Sequence, residues 1–284
     1  MTIGELLKEY RIRQDKKQKE FIGNIISPSY YSKVEKDLHR ITVEDLTALL
    51  HYNNIPLWDF FSRLDSSDEF NHQQIKNLND MMLDAYYSGD KERFSEISNL
   101  IDESNLSPKD KEEQKLLVAG WVESMKNEED PADEELRNKL KEKIFSIPNF
   151  NEDKIVLFCN FMAFYDFESN KTITRQIMLQ YQNTQNRKIQ EDILAIIGNM
   201  LALITINKKY DQAVFYIEAA NKIKTRPETF FYKNIIFFHE NFINYHLTNN
   251  ILYLQNCEKA VEVINTLGML NYAHKLKKFY LTYK

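Results

Sequence analysis

Five side chains able to hydrogen-bond lie within one short stretch: Ser27, Ser29, Tyr30, Ser32 and Lys33. Hydroxyls both donate and accept, and the ammonium is a compact cation. They form no catalytic constellation, so the set suits binding more than bond-making. Phosphate oxygens and base edges are the partners such groups fit. Ser27 is a good N-cap, and Pro28 falls at the first helical position, where a missing N–H costs nothing. Tyr31 and Val34, three apart, point the other way. The stretch predicts a short helix with an apolar back and a polar front.

A second set recurs far along the chain. Asn160, Asn199 and Asn241 each interrupt an apolar helical run, 39 and then 42 residues apart. A primary amide offers a donor and an acceptor together, which is what an extended peptide backbone presents. Apolar neighbours such as Phe158 would receive peptide side chains. Each Asn has plainer alternatives: a bond inside the core, or contact with water alone.

Other chemistry is missing from the pattern. The six histidines form no HExxH, and there is no Gly-rich phosphate loop. Cys159 and Cys257 lack neighbouring His at ligand spacing and read as free buried thiols. His239, inside an apolar helix, reads as a core histidine. Glu128-Glu129-Asp130 and Asp133-Glu134-Glu135 flank Pro131 and read as a solvated face or as complements to a helix N-terminus. Lys275, Lys277 and Lys278 read as complements to a helix C-terminus. The expectation is a non-enzyme with no cofactor and no metal.

The elements that carry these sets are helices throughout. The chain has 284 residues, with only 6 Gly and 6 Pro, and 43% are apolar. Five helices are expected before residue 65: about Thr2–Gln14, Lys16–Asn24, the helix at Pro28, one opened by Thr42-Val43-Glu44-Asp45, and Leu57–Leu64. The second and third, joined by a tight turn at Gly23-Asn24, make a helix-turn-helix. Eleven amphipathic helices follow, at about 68–88, 91–104, 109–127, 131–146, 151–166, 169–182, 186–206, 208–224, 228–247, 250–267 and 270–283. Short connections and a pitch near forty residues predict an α-solenoid of antiparallel pairs. The predicted fold class is thus all-α, with domains at 1–65 and 66–284. Net charge is −5 overall, yet residues 1–40 hold nine basic and six acidic side chains, so the positive end coincides with the polar helix. Neither a signal-peptide pattern nor a stretch of about 20 uncharged apolar residues is visible, which points to a cytoplasmic protein with no membrane partner.

Gln18-Lys19-Glu20-Phe21-Ile22, Ser29 through Lys36, and Val43-Glu44-Asp45-Leu46 resemble the repressor-type (Cro-like, XRE) helix-turn-helix. The resemblance implies that Arg11 pairs with Glu35 and still meets a phosphate. It implies that Gln18 and its neighbour Lys19 lie at the backbone, and that Ser29, Ser32 and Lys33, with Tyr30 beside them, face the major groove. The sequence departs from that pattern at Pro28 and at Asp37, where Gly is usual. Lys209 through Ala220 resembles the second helix of a tetratricopeptide repeat, and Cys257 through Val263 echoes it. Taken together the two parts resemble the Rgg/MutR and PrgX-type regulators of Gram-positive bacteria over nearly the whole chain. That implies a homodimer on double-stranded operator DNA, controlled by a short hydrophobic signalling peptide in the TPR-like domain. Asn160 and Asn199 match the family's peptide-facing positions, and Asn241 and Asn244 match others. The competing expectation is a helix-turn-helix-tethered scaffold that senses a folded protein.

Overall fold

The computed structural model describes residues 1–64, 66–126 and 130–284, with backbone alone for 66–70; Glu128 and Glu129 of the acidic run lie outside the described residues. Sixteen α-helices are present among the described residues, and no strand. The chain divides into two compact units, Met1–Asn77 and Leu78–Lys284.

The first unit holds α1 (Ile3–Arg13), α2 (Gln18–Ile22), α3 (Pro28–Val34), α4 (Val43–Tyr52) and α5 (Leu57–Leu64). Local chemistry sets their starts. Thr2 and Glu5 form a capping box on α1, Ser27 caps α3 with Pro28 at its first position, and Thr42 caps α4. Leu6, Leu7, Phe21, Ile22, Tyr31, Val34, Leu46, Leu49, Leu50 and Phe60 close into one core. Buried Asn53 ties it together: its amide donates to the carbonyls of Phe21 (2.7 Å) and Leu49 (2.8 Å) and accepts from Lys16 Nζ (2.8 Å).

Helices α1 and α3 approach so closely that Gly4 faces the Val34 carbonyl directly, with no room for a Cβ. Asp37, at the departure from the family pattern, takes φ +56°, the conformation that explains the usual Gly. An Asp tolerates this region better than most residues, and here its carboxylate accepts from Thr2 Oγ1 at 2.8 Å.

Helix α6 (Ser66–Ser88) begins in the first unit and ends in the second. After it come α7 (Lys91–Glu103), α8 (Pro108–Ser124), α9 (Glu134–Ser146), α10 (Glu152–Asn160), α11 (Phe167–Gln180), α12 (Arg187–Ile206), α13 (Ala213–Lys222), α14 (Phe230–Thr248), α15 (Ile251–Thr266) and α16 (Leu270–Tyr283). Asp90, Ser107, Asp133, Asn151, Asp166, Asn186 and Asn250 each cap one of these N-termini. Asp133 therefore serves its helix start, as expected of the acidic run. Neighbouring helices pack in sequence, and α10, α12 and α14 also stack on one another. This is the repeat pattern, with first helices side by side.

Two expected helices are broken. The run 151–166 stops at Asn160 and turns through a 3-10 segment, Met162–Phe164. Buried Asn170 causes this from across the turn: its amide takes the carbonyls of Met162 (2.9 Å) and Tyr165 (3.1 Å). The run 208–224 opens with a 3-10 turn at Tyr210–Gln212 before α13 begins.

Helix α12 is the centre of the unit, packed against α10, α11, α13 and α14. It is the one described helix long and apolar enough to cross a bilayer by length and composition, but more than half of that window is buried against its neighbours. Its first turns also carry Arg187, Lys188, Glu191 and Asp192. A core helix accounts for its character. His239 is buried on α14, and burial pushes its imidazole down to about 3, so it is neutral. Both cysteines are free, but only Cys257 is buried as expected; Cys159 is half-buried, and loss of water around each sulfur pushes each thiol up to about 12.

Gly4→Ala is expected to destabilise the first unit by about 1–3 kcal/mol, the usual cost of forcing a methyl into a filled contact. Urea denaturation followed by the fluorescence of Trp58, which lies in that unit, measures it. An unchanged midpoint would show that α1 can shift away from α3.

Candidate functional site

Helix α3 has only seven residues, too short to hold a helical shape unaided. Tyr31 and Val34 anchor its back in the core. Glu35, just past its end, is buried and receives three hydrogen bonds. Arg11 Nε donates to Oε1 at 2.6 Å and Nη2 to Oε2 at 3.1 Å, a bidentate pair between α1 and the end of α3. Gln18 Nε2 donates to Oε2 at 2.7 Å from the start of α2. A further donor of Arg11 holds the Lys16 carbonyl at 3.0 Å. Three helices thus converge on one carboxylate. Burial alone would raise the Glu35 pKa, but the bonds from Arg11 and Gln18 outweigh it and hold the carboxyl below its ordinary value.

On the front of α3, Ser29 and Lys33 are exposed, and Ser32 is half-buried. Ser27 is exposed and accepts from the Tyr30 amide, leaving its hydroxyl proton free to donate. Tyr30 is more constrained than expected: its hydroxyl donates to the Arg40 carbonyl at 2.8 Å, so it can only accept from a ligand. Lys19 is exposed on α2. The turn between α2 and α3 begins at Gly23, whose φ of +53° favours glycine and whose Cβ position faces the Tyr52 ring. An exposed cation, free hydroxyls and a rigid back give α3 the means to bind an anionic, hydrogen-bonding surface.

The second unit separates the asparagines. Asn160 is half-buried at the end of α10, and its amide has no hydrogen-bond partner among the described residues. Asn199 is exposed on α12. Its Nδ2 donates to the Cys159 carbonyl at 3.1 Å, which leaves its oxygen open and places it beside Asn160. Asn244 is half-buried with a free amide. Asn241 and Phe158 are corrected. Asn241 is buried, donating to the Phe237 carbonyl (2.8 Å) and accepting from Asn256 (2.9 Å), because α15 packs on that side of α14. Phe158 has no exposed surface and packs on Tyr165 inside the core.

Several residues that sequence reasoning passed over gather near Asn199. Tyr87 meets Phe231 (5.7 Å) and Tyr272 (5.4 Å), and Tyr86 meets Trp121 (4.8 Å), so α6, α8, α14 and α16 come together. Lys275 is not a helix-end complement; its Nζ lies 4.1 Å over the Tyr86 ring. Cys159 lies within electrostatic range of Tyr86, Tyr87, Tyr232 and Tyr272. Burial raises all four phenols, Tyr232 to about 12, so each stays a neutral donor. None of their hydroxyls has a hydrogen-bond partner among the described residues. This inner face combines apolar walls with unsatisfied amide and phenol groups. The only sequence signal for it was the adjacent Tyr86-Tyr87 pair.

A helix-turn-helix unit followed by paired helical repeats defines a class of two-part regulators. The family of the HTH-type transcriptional regulator Rgg, C-terminal domain, matches residues 98–279, and a helix-turn-helix family matches residues 7–57. The chain belongs to the Rgg family of transcriptional regulators. Solved structures share its fold end to end. The Streptococcus dysgalactiae SHP pheromone receptor Rgg2 is 15% identical, covering 99% of each chain, with a TM-score of 0.61. Bacillus thuringiensis PlcR in complex with the peptide PapR7 and DNA is 15% identical, covering 96% of this chain and 98% of that one, with a TM-score of 0.66. ComR from S. thermophilus in complex with DNA and its signalling peptide ComS is 16% identical, covering 99% of each, with a TM-score of 0.62. No curated protein sequence matches the chain.

Removing one partner of the Glu35 network exposes its weight. Arg11→Ala leaves a buried carboxylate held by Gln18 alone and is expected to cost about 3 kcal/mol. Because the Glu35 pKa is depressed on folding, its contribution is present above the ordinary carboxylate pKa and is lost as pH falls through the folded value. Glu35→Gln should therefore flatten the acid limb of the stability curve. A limb of unchanged slope in urea melts at stepped pH would assign that dependence elsewhere.

Proposed function

We propose that the chain is a cytoplasmic transcriptional regulator, not an enzyme, that binds double-stranded operator DNA as a homodimer and is controlled by a short hydrophobic signalling peptide. Residues 1–65 act as the DNA-binding domain. Ser29, Ser32 and Lys33 face the major groove; Arg11, Gln18, Lys19 and Ser27 lie toward the phosphates, with Tyr30 accepting at the edge. Two copies of α3 on an inverted repeat would lie roughly 34 Å apart, one DNA turn. Residues 66–284 bind the peptide and dimerise. The relatives solved with peptide and DNA support this division.

The observation that carries the peptide reading is the inner face. Asn160, with an open amide, and Asn199, with an open amide oxygen, stand side by side near phenols that have no hydrogen-bond partner among the described residues. The rings of Tyr86, Tyr87 and Tyr272 gather nearby, so an extended peptide would find backbone partners and apolar contacts together. Coupling requires only that the peptide prefer one state of the regulator over the other.

Lys33→Ala should weaken binding to the promoter fragment the protein occupies in its host, and should lower the salt slope by about 1 if the contact is to phosphate. Fluorescence anisotropy at stepped salt reads both, and an isotherm identical to wild type would remove Lys33 from the interface. Replacing Asn160 and Asn199 together with Ala should weaken uptake of apolar octapeptides at least tenfold in equilibrium dialysis. Unaltered uptake would move the peptide site off this face.

A further inference from the structure

The inner face contains a buried carboxylate that a purely apolar peptide leaves unanswered. Asp192 lies on α12 two helical turns before Asn199, on the same side of the helix. Its side chain is more than nine-tenths buried, and Oδ2 has no hydrogen-bond partner. An unpartnered carboxylate oxygen held out of water is unfavourable unless a cation or donor arrives. The partner it does have is weak: Lys188 Nζ stands 3.5 Å from Oδ1 and 4.0 Å from Glu191, and is itself half exposed. Glu152 and Glu191 add negative charge nearby. Cys159 and Tyr232 lie within electrostatic range of Asp192, which joins it to the face already described.

We propose that Asp192 forms an ammonium-binding subsite of the peptide groove, so that the protein selects peptides presenting a free amino group there. The inference rests on the peptide reading above. An alkylammonium has three donors, enough to satisfy Oδ2 and leave two for neighbouring acceptors. Tyrosine faces nearby suit a cation as well as an apolar chain. An acetylated or otherwise neutral terminus would bury against an unpaired carboxylate and be rejected. The ammonium can come from the peptide's N-terminus or from a lysine side chain.

The test uses the full-length protein and three synthetic pools of apolar octapeptides: free amino terminus, N-acetylated, and N-acetylated with one internal Lys. Retention on ultrafiltration is read by mass spectrometry. Wild type is expected to retain the free-amine pool at least tenfold over the plain acetylated pool. Asp192→Asn, which removes the buried charge and keeps the shape, should abolish that preference. Lys188→Ala, which removes the competing cation, should enlarge it. Strong retention of the lysine pool would assign the side chain as the source, and retention of the free-amine pool alone would assign the terminus. Equal retention of all pools by wild type overturns the subsite while leaving the peptide groove standing. Retention of none overturns the groove reading itself and the subsite with it.

Discussion

A seven-residue helix has to be held by something other than its own hydrogen bonds, and here that something is one buried carboxylate. Glu35 takes Arg11 from α1 and Gln18 from α2, so the three helices that meet at the candidate DNA surface share a single electrostatic fastening. Tyr31 and Val34 fix the depth of α3 in the core, while Glu35 fixes its rotation. The exposed face then follows by exclusion: whatever does not point to the core or to Glu35 points out. Gly4 and Asp37 complete the arrangement by letting α1 and the chain beyond α3 come close without a clash.

The repeat unit obeys a different constraint. Its first helices stack on one another, so each must be apolar toward two neighbours and toward its own partner. Little surface remains for polar groups, and those that occur are either satisfied across a helix pair or turned to the inner face. Asn241 and Asn170 are of the first kind, linking helices or fastening a turn. Asn160, Asn199 and the phenols near Cys159 are of the second.

Much of this was legible in the residues, and the rest fails for identifiable reasons. Ser27, Pro28, Tyr31 and Val34 gave α3 correctly because capping and helical spacing are local. Most of the later helices were likewise marked by Ser, Asp, Asn and Pro at their starts. The break after Asn160 was hidden because Asn170 makes it from beyond the turn. Asn241 looked like Asn199 in sequence, since spacing does not say which side α15 will cover. Arg11 and Glu35 came into view only through resemblance, as nothing in a 24-residue separation announces a contact. The meeting of α6 with α16, which brings Asn271 to the Ser88 carbonyl across 183 positions, has no local signal at all.

In the proposed regulator, α3 and the inner face of the repeat unit act through the coupling between them. The direct measurement is the affinity of the full-length protein for its promoter duplex, by fluorescence anisotropy, with and without the small-peptide fraction of its host's culture medium. A shift of about fivefold or more is expected, in the range of ordinary allosteric coupling, and it should disappear when Asn160 and Asn199 are both replaced. Superimposable curves with and without the peptide fraction, from protein that binds the duplex, would contradict it.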